Sequence, residues 1–283
     1  MSVKLSGFAD EISSDFEKQL EGLTANGIQY IEVRGVNGKN ISALSREQMN
    51  EAQKLLEKHK IGVSAIGSPI GKVKITDDFD AHVKVFENCM LAAETFGAKY
   101  MRIFSFFIPD KKYDEYRGDV MGRLEKLAEL AAKKNIILCH ENEGAIYGES
   151  PERCLDIMLH FKGGIKFIFD PANFVVGGYE PYPDAYNMLA EHIEYMHIKD
   201  AGEKGIVPAG FGKGGVKEIL SDLILNRKFD GFLSIEPHLS VFAGLKDLGG
   251  EEHVGVSKFA SKEEAFAAAA NALKNILKEI GAT

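Results

Sequence analysis

Four strongly apolar stretches of this sequence each lead into a side chain that can bind a metal ion or move a proton. Carboxylate oxygens and imidazole nitrogens are ligands that proteins offer to Mn²⁺, Co²⁺, Mg²⁺ and Zn²⁺. A carboxylate can also take up and return a proton during a reaction. The sequence therefore predicts a divalent-metal site if the following side chains meet in space: Glu141, Asp170, His197 and Glu236.

The elements that must bring these side chains together are β-strands that alternate with helices along the whole chain. Each apolar stretch has the length of a buried strand, and a helical pattern follows it. The four side chains are roughly 30 to 40 residues apart, which is the length of one strand–helix unit. Eight such units in 283 residues predict one α/β domain spanning residues 1–283, a (β/α)8 TIM barrel with its active site at the C-terminal strand ends.

The rival architecture is a doubly wound open sheet, which also alternates strands and helices. That fold favours a glycine-rich turn after its first strand, where backbone amides cradle a phosphate. Here the first predicted strand leads into Gly7-Phe8-Ala9-Asp10, which offers no such turn. The barrel is preferred because its strands end at one shared rim, where all four candidate ligands would lie.

Composition narrows the class of partner. The formal net charge of −8 argues against a nucleic acid, because phosphate binding needs a basic surface. Three cysteines without metal-type spacing indicate a reducing cytoplasm. The N-terminus lacks the apolar segment of a signal peptide, and no apolar run approaches the ~20 residues of a membrane span. We therefore expect a cytoplasmic protein that acts on a small molecule.

Each of the four candidate ligands also has a purely structural interpretation. A polar residue after a buried strand can cap the strand end or form an ion pair with a nearby lysine. For any single residue, this explanation is as good as a ligand role. Four such residues at four consecutive predicted strand ends favour a shared site instead.

Short motifs at the predicted strand ends and in one loop carry a wider resemblance. They are Gly7–Glu11, Glu141-Asn142, Asp170–Asn173, His197–Asp200, Pro208–Gly212 and Ile235–Pro237. Together they resemble the xylose-isomerase-like sugar isomerase/epimerase superfamily, over nearly the whole chain. The four-ligand pattern is specific to that superfamily but not to one reaction. Its members include ketose 3-epimerases, inosose isomerases and dehydratases, hydroxypyruvate isomerases, C-glycoside-cleaving enzymes and endonuclease IV.

The resemblance implies one divalent metal ion, most often Mn²⁺, held by Glu141, Asp170, His197 and Glu236. It also implies that Glu141 and Glu236 move the substrate proton. Removing a proton beside a carbonyl is slow because the resulting enediolate is unstable. A metal ion offsets the developing charge, and a carboxylate on each face can take and return the proton. The expected function is isomerisation or epimerisation of a sugar, keto-sugar or cyclitol.

Three other functions stay open. The same enediolate could expel water or an aglycone from an oxidised sugar, which would make the protein a lyase or dehydratase. An endonuclease IV-like phosphodiesterase would need more metal-binding histidines and a basic surface. A non-catalytic barrel would be expected to lack a metal ligand, and none is missing. Superfamily members are often dimers or tetramers, and the long loop Leu239–Phe259 is a candidate lid or subunit contact.

The chain departs from many ketose epimerases at two places. Those enzymes carry His three residues after the strand-six Asp, where this chain has Asn173, and an Arg shortly after the strand-seven His, where it has residues 199–203. Both departures weaken the prediction of plain 3-epimerisation and leave the metal ligands intact. Side chains that could contact a substrate are Asn173, Lys199, Ser68 and Lys72.

Other polar residues have weaker signals. Glu11 and Glu32 are predicted either to support the ligands or to be ordinary strand-end charges. His238 lies two residues after a candidate ligand and could enter the site. His140 alternates away from the site, so we expect it to pack against a helix. His82 is on a predicted helix and is expected to be solvated.

Overall fold

The structure, a computed structural model, describes residues 3–240 and 259–282. Its centre is one eight-stranded sheet in which every hydrogen-bonded pair is parallel, which confirms the predicted barrel. The strands are β1 (Lys4–Gly7), β2 (Tyr30–Val33), β3 (Gly62–Ile66), β4 (Tyr100–Ile103), β5 (Ile137–Glu141), β6 (Lys166–Phe169), β7 (Ile193–Ile198) and β8 (Phe232–Ile235). The sheet order is β1-β8-β7-β6-β5-β4-β3-β2, and contacts between β1 and β2 nearly close the barrel.

Helices alternate with the strands and cover the barrel. The helices are α1 (Phe16–Ala25), α2 (Arg46–His59), α3 (Phe79–Phe96), α4 (Tyr113–Ala132), α5 (Pro151–Phe161), α6 (Pro171–Val176), α7 (Tyr186–Leu189), α8 (Val216–Ser221) and α9 (Lys262–Glu279). Asp15, Ser45 and Ser150 each accept a hydrogen bond from the backbone amide three residues later, so they cap α1, α2 and α5. Among the described residues, no helix is long and apolar enough to cross a membrane.

One predicted helix start is wrong, and one short helix was not predicted. The sequence predicts a helix from about Asp119, but α4 begins at Tyr113 and includes part of what was expected to be a polar loop. It also predicts a helix start at Pro183, and the chain is helical over Pro181–Ala185 and Tyr186–Leu189. The helix without a prediction is α6, which begins at Pro171 because the Asp170 side chain accepts a hydrogen bond from the Asn173 amide and proline suits the first helical turn.

The interior of the barrel changes from aromatic to polar between its two ends. Toward the N-terminal strand ends, the rings of Tyr100, Tyr195 and Phe232 pack with centroids 5.6–6.3 Å apart. Ser6 and Ser64 follow in the interior, with their hydroxyl oxygens 2.6 Å apart. Branched aliphatic residues usually fill such a barrel. Polar atoms are needed here because charged side chains buried at the C-terminal rim require hydrogen-bonding partners.

Asp200 organises the loop that follows β7. The chain first forms a small hairpin, Asp200–Gly202 paired with Gly205–Val207. The Asp200 carboxylate then accepts backbone N–H groups from Ala201, Gly210, Gly212 and Gly214. A Cβ atom on Gly212 would lie 2.3 Å from this carboxylate, so only glycine allows the loop to wrap so closely. The loop is therefore built around a buried acid next to the barrel rim.

Candidate metal centre

The structure brings the four predicted ligands together at the C-terminal rim of the barrel. Each offers one ligand atom, and these atoms all lie within 4.8 Å of one another. All four side chains are buried. They come from the ends of four consecutive strands: Glu141 from β5, Asp170 from β6, His197 from β7 and Glu236 from β8.

Asp170 has one oxygen committed to the fold and one directed at the cluster. Its Oδ1 caps α6 through the Asn173 amide, at 2.9 Å. Its Oδ2 is buried and accepts no hydrogen bond of good geometry from the described residues, although Lys199 Nζ lies 2.9 Å away. Burial raises the pKa of this carboxyl to about 7. The positive charge of Lys199 opposes this effect of burial on Asp170.

Glu141 is held between a guanidinium and an imidazole. Its Oε2 lies 3.1 Å from Arg102 Nη1, and its Oε1 lies 2.9 Å from His197 Nδ1. Burial by itself raises the pKa of a carboxyl, but His197 and Arg102 outweigh it and lower the pKa of Glu141 to about 2. Glu141 is thus kept ionised, which both a metal ligand and a general base require.

Glu236 is surrounded by cations. Its Oε1 accepts a hydrogen bond from Arg34 Nη1 at 2.9 Å, and Arg102 Nη1 lies 3.6 Å from the same oxygen. Its Oε2 accepts one from Lys199 Nζ at 2.9 Å. Burial opposes ionisation, but the cations Lys199, His197 and Arg34 hold the pKa of Glu236 well below its usual range. Both glutamates of the cluster are therefore carboxylates near neutral pH.

His197 lies between two carboxylates. Its Nδ1 faces Glu141, and its Nε2 lies 3.2 Å from Glu32 Oε2. Burial lowers the pKa of an imidazole, but Glu141 and Glu32 outweigh it and raise the pKa of His197 to about 10. Glu32 therefore supports a candidate ligand, which is one of its two predicted roles.

The described donors fit a hard or borderline divalent cation. Three carboxylates and one imidazole are a donor set that suits Mn²⁺, Co²⁺, Mg²⁺ or Zn²⁺. The convergence of these four donor atoms within 4.8 Å is the observation that most directly indicates a cation at this position.

The sequence interpretation missed two buried arginines that balance these acids. Arg34 follows β2 and contacts Asp10, Glu11 and Glu236 at 2.8–3.1 Å. Arg102 lies within β4 and contacts both Glu141 and Glu236. A charged residue inside an otherwise apolar strand was the signal that could have found Arg102, since such a residue is rarely buried unless it is paired.

The predicted substrate contacts lie in different surroundings. Lys199 Nζ is 2.9 Å from both Asp170 and Glu236, and the Asn173 amide donates to the Asn142 carbonyl at 2.9 Å and to Glu141 at 3.3 Å. Both side chains therefore touch the ligand cluster.

The other two predicted contacts are engaged farther from the ligands. Lys72 is nearly buried and pairs with Glu143 at 2.7 Å, above the ring of Phe104. Ser68 is fully buried, donates its hydroxyl to the Arg102 carbonyl and accepts from the Ile70 amide. Both polar groups of Ser68 thus hold the loop after β3 against β4.

Of three further histidines, one lies in the candidate site and two are packed elsewhere in the fold. His238 enters the site, with Nε2 3.6 Å from both Glu11 and Glu236. His140 is buried and bonds Ser105, as its alternation predicts. The expectation that His82 is solvated is wrong, because it is nearly buried and accepts the Gly71 amide through Nε2. Of the candidate lid Leu239–Phe259, residues 241–258 lie outside the described residues.

Solved structures of three other proteins are similar to this one over nearly the whole chain. The D-allulose 3-epimerase of Methylomonas sp. in complex with D-allulose superimposes with a TM-score of 0.75, at 15% identity, over 98% of this chain and 97% of that one. The IolI protein, crystallised with a zinc atom, gives 0.73 at 16% identity over 98% and 99%. The probable 3-DHS dehydratase AsbF of Bacillus anthracis gives 0.73 at 18% over 97% and 99%.

At these identities the structural matches show a shared fold. No curated protein matches the sequence. The sequence profile of one family, however, matches residues 20–276, which is most of the chain. The chain therefore belongs to the xylose isomerase-like TIM barrel family.

Proposed function

We propose that this protein is a divalent-metal-dependent isomerase or epimerase that acts on a sugar, keto-sugar or cyclitol. The observation that carries the proposal is the convergence of four buried donors from four consecutive strand ends within 4.8 Å. Three of these donors are carboxylates, and a divalent cation would offset the cost of burying so much like charge. Glu141, Asp170, His197 and Glu236 would hold the metal ion.

Two of the ligands are also the proposed acid and base. Glu141 and Glu236 end β5 and β8, so two intervening strands separate them around the rim. Both are kept ionised by their cationic neighbours, so each can accept a proton from carbon. One would remove the proton beside the carbonyl, and the other would return one on the opposite face. The metal ion, when bound, supplies a positive charge that polarises the carbonyl.

Lys199 and Asn173 are the proposed polar contacts of the substrate. The ammonium of Lys199 touches two of the four ligands, so an oxygen of a bound substrate would lie within its reach. It would stabilise negative charge as it develops there. The Asn173 amide beside Glu141 can donate to a sugar hydroxyl, but it cannot titrate. Lys72 and Ser68 are proposed to shape the entrance from the loop after β3.

Elimination is the second candidate reaction, and the position of Lys199 favours it. An ammonium 2.9 Å from Glu236 places a proton donor beside a proton acceptor. That pair could remove the proton next to the carbonyl and protonate a departing hydroxyl or aglycone oxygen. The first step is the same for both reactions, so the product distinguishes them. An endonuclease role is not favoured, since Asn173 replaces a potential histidine ligand and the net charge is −8.

The same proposal includes an expected metal ion, substrate class, assembly state and cellular location. Mn²⁺ is the ion we expect, with Co²⁺, Mg²⁺ and Zn²⁺ as alternatives; the IolI relative of similar fold carries zinc. The epimerase relative binds D-allulose, which supports a small carbohydrate as the substrate. A homodimer or homotetramer and a cytoplasmic location remain predictions.

Deuterium exchange tests the proposed first step. The purified protein is stripped of metal, reloaded with Mn²⁺ and incubated in D₂O with a panel of ketoses, keto-sugars and inososes. We expect deuterium to enter the carbon beside the carbonyl of at least one compound, and chelation to abolish this. An epimer or isomer as product supports the first reaction, and loss of water or an aglycone supports elimination. Metal binding without exchange on any compound would contradict the catalytic proposal.

A further inference from the structure

A buried glutamate lies directly beneath the candidate ligand His197. Glu32 lies within β2, three strands around the barrel from β7, and its side chain is buried. Both of its oxygens lie 3.2–3.3 Å from His197 Nε2. The other ring nitrogen, Nδ1, faces the ligand cluster, 2.9 Å from Glu141 and 3.7 Å from Glu236. Nδ1 of the imidazole thus faces the candidate metal site, and Nε2 faces the barrel interior.

A chain of hydroxyl groups lies in the barrel interior beneath His197. The Tyr195 side chain is fully buried within electrostatic reach of the Glu32 carboxylate, and its ring packs edge-on against that of His197 with centroids 5.9 Å apart. Its hydroxyl oxygen lies 2.9 Å from Ser64 Oγ, which in turn lies 2.6 Å from Ser6 Oγ. These polar residues occupy positions where apolar side chains usually fill the barrel.

The directions of these hydrogen bonds follow from the groups themselves. The hydroxyl of Tyr195 can donate a hydrogen bond as well as accept one. The Glu32 carboxylate can only accept. His197 must then carry a hydrogen on Nε2, which leaves Nδ1, the nitrogen that faces Glu141 and Glu236, as the one that can lose its proton to a metal ion. The ring is further fixed by Phe8, which packs edge-on at 5.2 Å.

We propose that Glu32 is a positioning residue that makes Nδ1 the metal-binding nitrogen of His197. A carboxylate that accepts the second N–H of a ligating histidine fixes the orientation and tautomer of the ring and strengthens it as a ligand. This inference rests on the proposed metal-dependent function. It adds a residue that contacts neither metal nor substrate but sets the geometry of the site.

The first test compares two matched variants by their affinity for Zn²⁺, measured by competition with a chromophoric chelator. Glu32→Gln removes the charge beneath His197. Glu194→Gln is the control, because Glu194 also accepts a tyrosine hydroxyl, that of Tyr100 at 2.6 Å, at the opposite end of the barrel. We expect Glu32→Gln to weaken binding about 10–100-fold, and Glu194→Gln to change it less than about twofold. Equal affinity of Glu32→Gln and wild type would overturn the inference.

The second test uses NMR to identify which ring nitrogen of His197 binds the metal ion. In the Zn²⁺-loaded protein labelled with ¹⁵N-histidine, we expect His197 to show a protonated Nε2 and a metal-shifted Nδ1, and the Nε2–H proton to move upfield in Glu32→Gln. Metal bound through Nε2 would refute the positioning role. If Glu32→Gln does not fold, Tyr195→Phe, with Tyr100→Phe as control, should lower Zn²⁺ affinity severalfold. A wild-type protein that binds no divalent metal would refute the proposed function as well as this inference.

Discussion

The two halves of the barrel contribute different groups to the same site. Strands β5 to β8 supply the four candidate ligands at their C-terminal ends, and Lys199 follows β7. The earlier half supplies buried guanidinium groups, Arg34 after β2 and Arg102 within β4. Arg102 bridges Glu141 and Glu236, the proposed acid and base. The later half would therefore perform the chemistry, while the arginines of the earlier half add permanent positive charge beside its carboxylates.

This division explains why a highly acidic cluster can be buried. Removing a carboxylate from water costs several kcal/mol even after relaxation, and only nearby cations with good geometry offset that cost. The arginines are permanent cations, since guanidinium stays protonated. A divalent ion would be a further cation that binds and leaves. The two halves should accordingly respond differently to substitution: the later half through turnover, the earlier half through stability.

The largest expected effect is on turnover, in the later half. Glu236→Gln should lower turnover about 10²–10⁴-fold, because the amide cannot accept the substrate proton. Steady-state rates and deuterium exchange on a responsive compound measure this, with circular dichroism to show that the fold is kept. Glu194→Gln, at the far end of the barrel, is the control and should stay near wild type. Glu236→Gln turning over at the wild-type rate would exclude an acid–base role.

The next effect is on stability, in the earlier half. Arg102→Met should destabilise the metal-free protein by about 3–5 kcal/mol, because Glu141 and Glu236 lose a buried partner. Urea unfolding measures it, and added Mn²⁺ should recover part of the loss. Arg117→Met removes a partly exposed pair with Asp156 and should cost less than about 1 kcal/mol. If both variants unfold at the same urea concentration, the counter-charge account fails.

A smaller effect is that two buried histidines should contribute to the free energy of unfolding with opposite dependences on pH. In the fold, the pKa of His197 is about 10, above its value of 6.5 when unfolded, because Glu141 and Glu32 outweigh burial. Its contribution to stability is therefore fully present below pH 6.5 and is lost as pH rises through 10. Burial lowers the pKa of His140 to about 3, so its effect has the opposite sign and is lost as pH falls below 6.5.

Unfolding experiments with chelator present test that difference. The free energy of unfolding of the wild-type protein should fall between pH 7 and pH 10, and His197→Gln should fall less steeply. His140→Gln should keep the wild-type slope in that range and change it between pH 3 and pH 6.5. Identical slopes for His197→Gln and wild type between pH 7 and pH 10 would show that the imidazole is not charged in the metal-free fold.

The smallest effect is expected at the rim. Lys72→Met breaks an ion pair with Glu143, whose side chain is 25% exposed, so stability should change by less than about 1 kcal/mol. If Lys72 contacts the substrate, KM should rise severalfold while kcat changes little. A lower kcat with unchanged KM would assign Lys72 to the chemical step instead.

The sequence predicts the later half of the barrel better than the earlier half. Buried strands that end in Glu, Asp or His are a local signal, and the regular spacing of Glu141, Asp170 and His197 links it to one rim. Arg34 and Arg102 carry no comparable signal, because their role depends on which acids converge across the barrel. The position of Lys199 between Asp170 and Glu236 is likewise a property of three strands together.

The local errors have physical causes as well. Helix α6 was missed because it has only six residues, too few for a periodic pattern, and because Asp170 was interpreted only as a ligand although it also caps that helix. His82 was expected to be exposed to solvent because histidines on surface helices usually are exposed. Its burial depends on the loop after β3, whose Gly71 amide needs an acceptor.

Anomalous diffraction from crystals soaked in Mn²⁺ tests the central claim most directly. The account predicts one strong manganese peak at the C-terminal rim, within coordination distance of Glu141, Asp170, His197 Nδ1 and Glu236. A manganese-soaked crystal that diffracts well but shows no peak among these four side chains would contradict it.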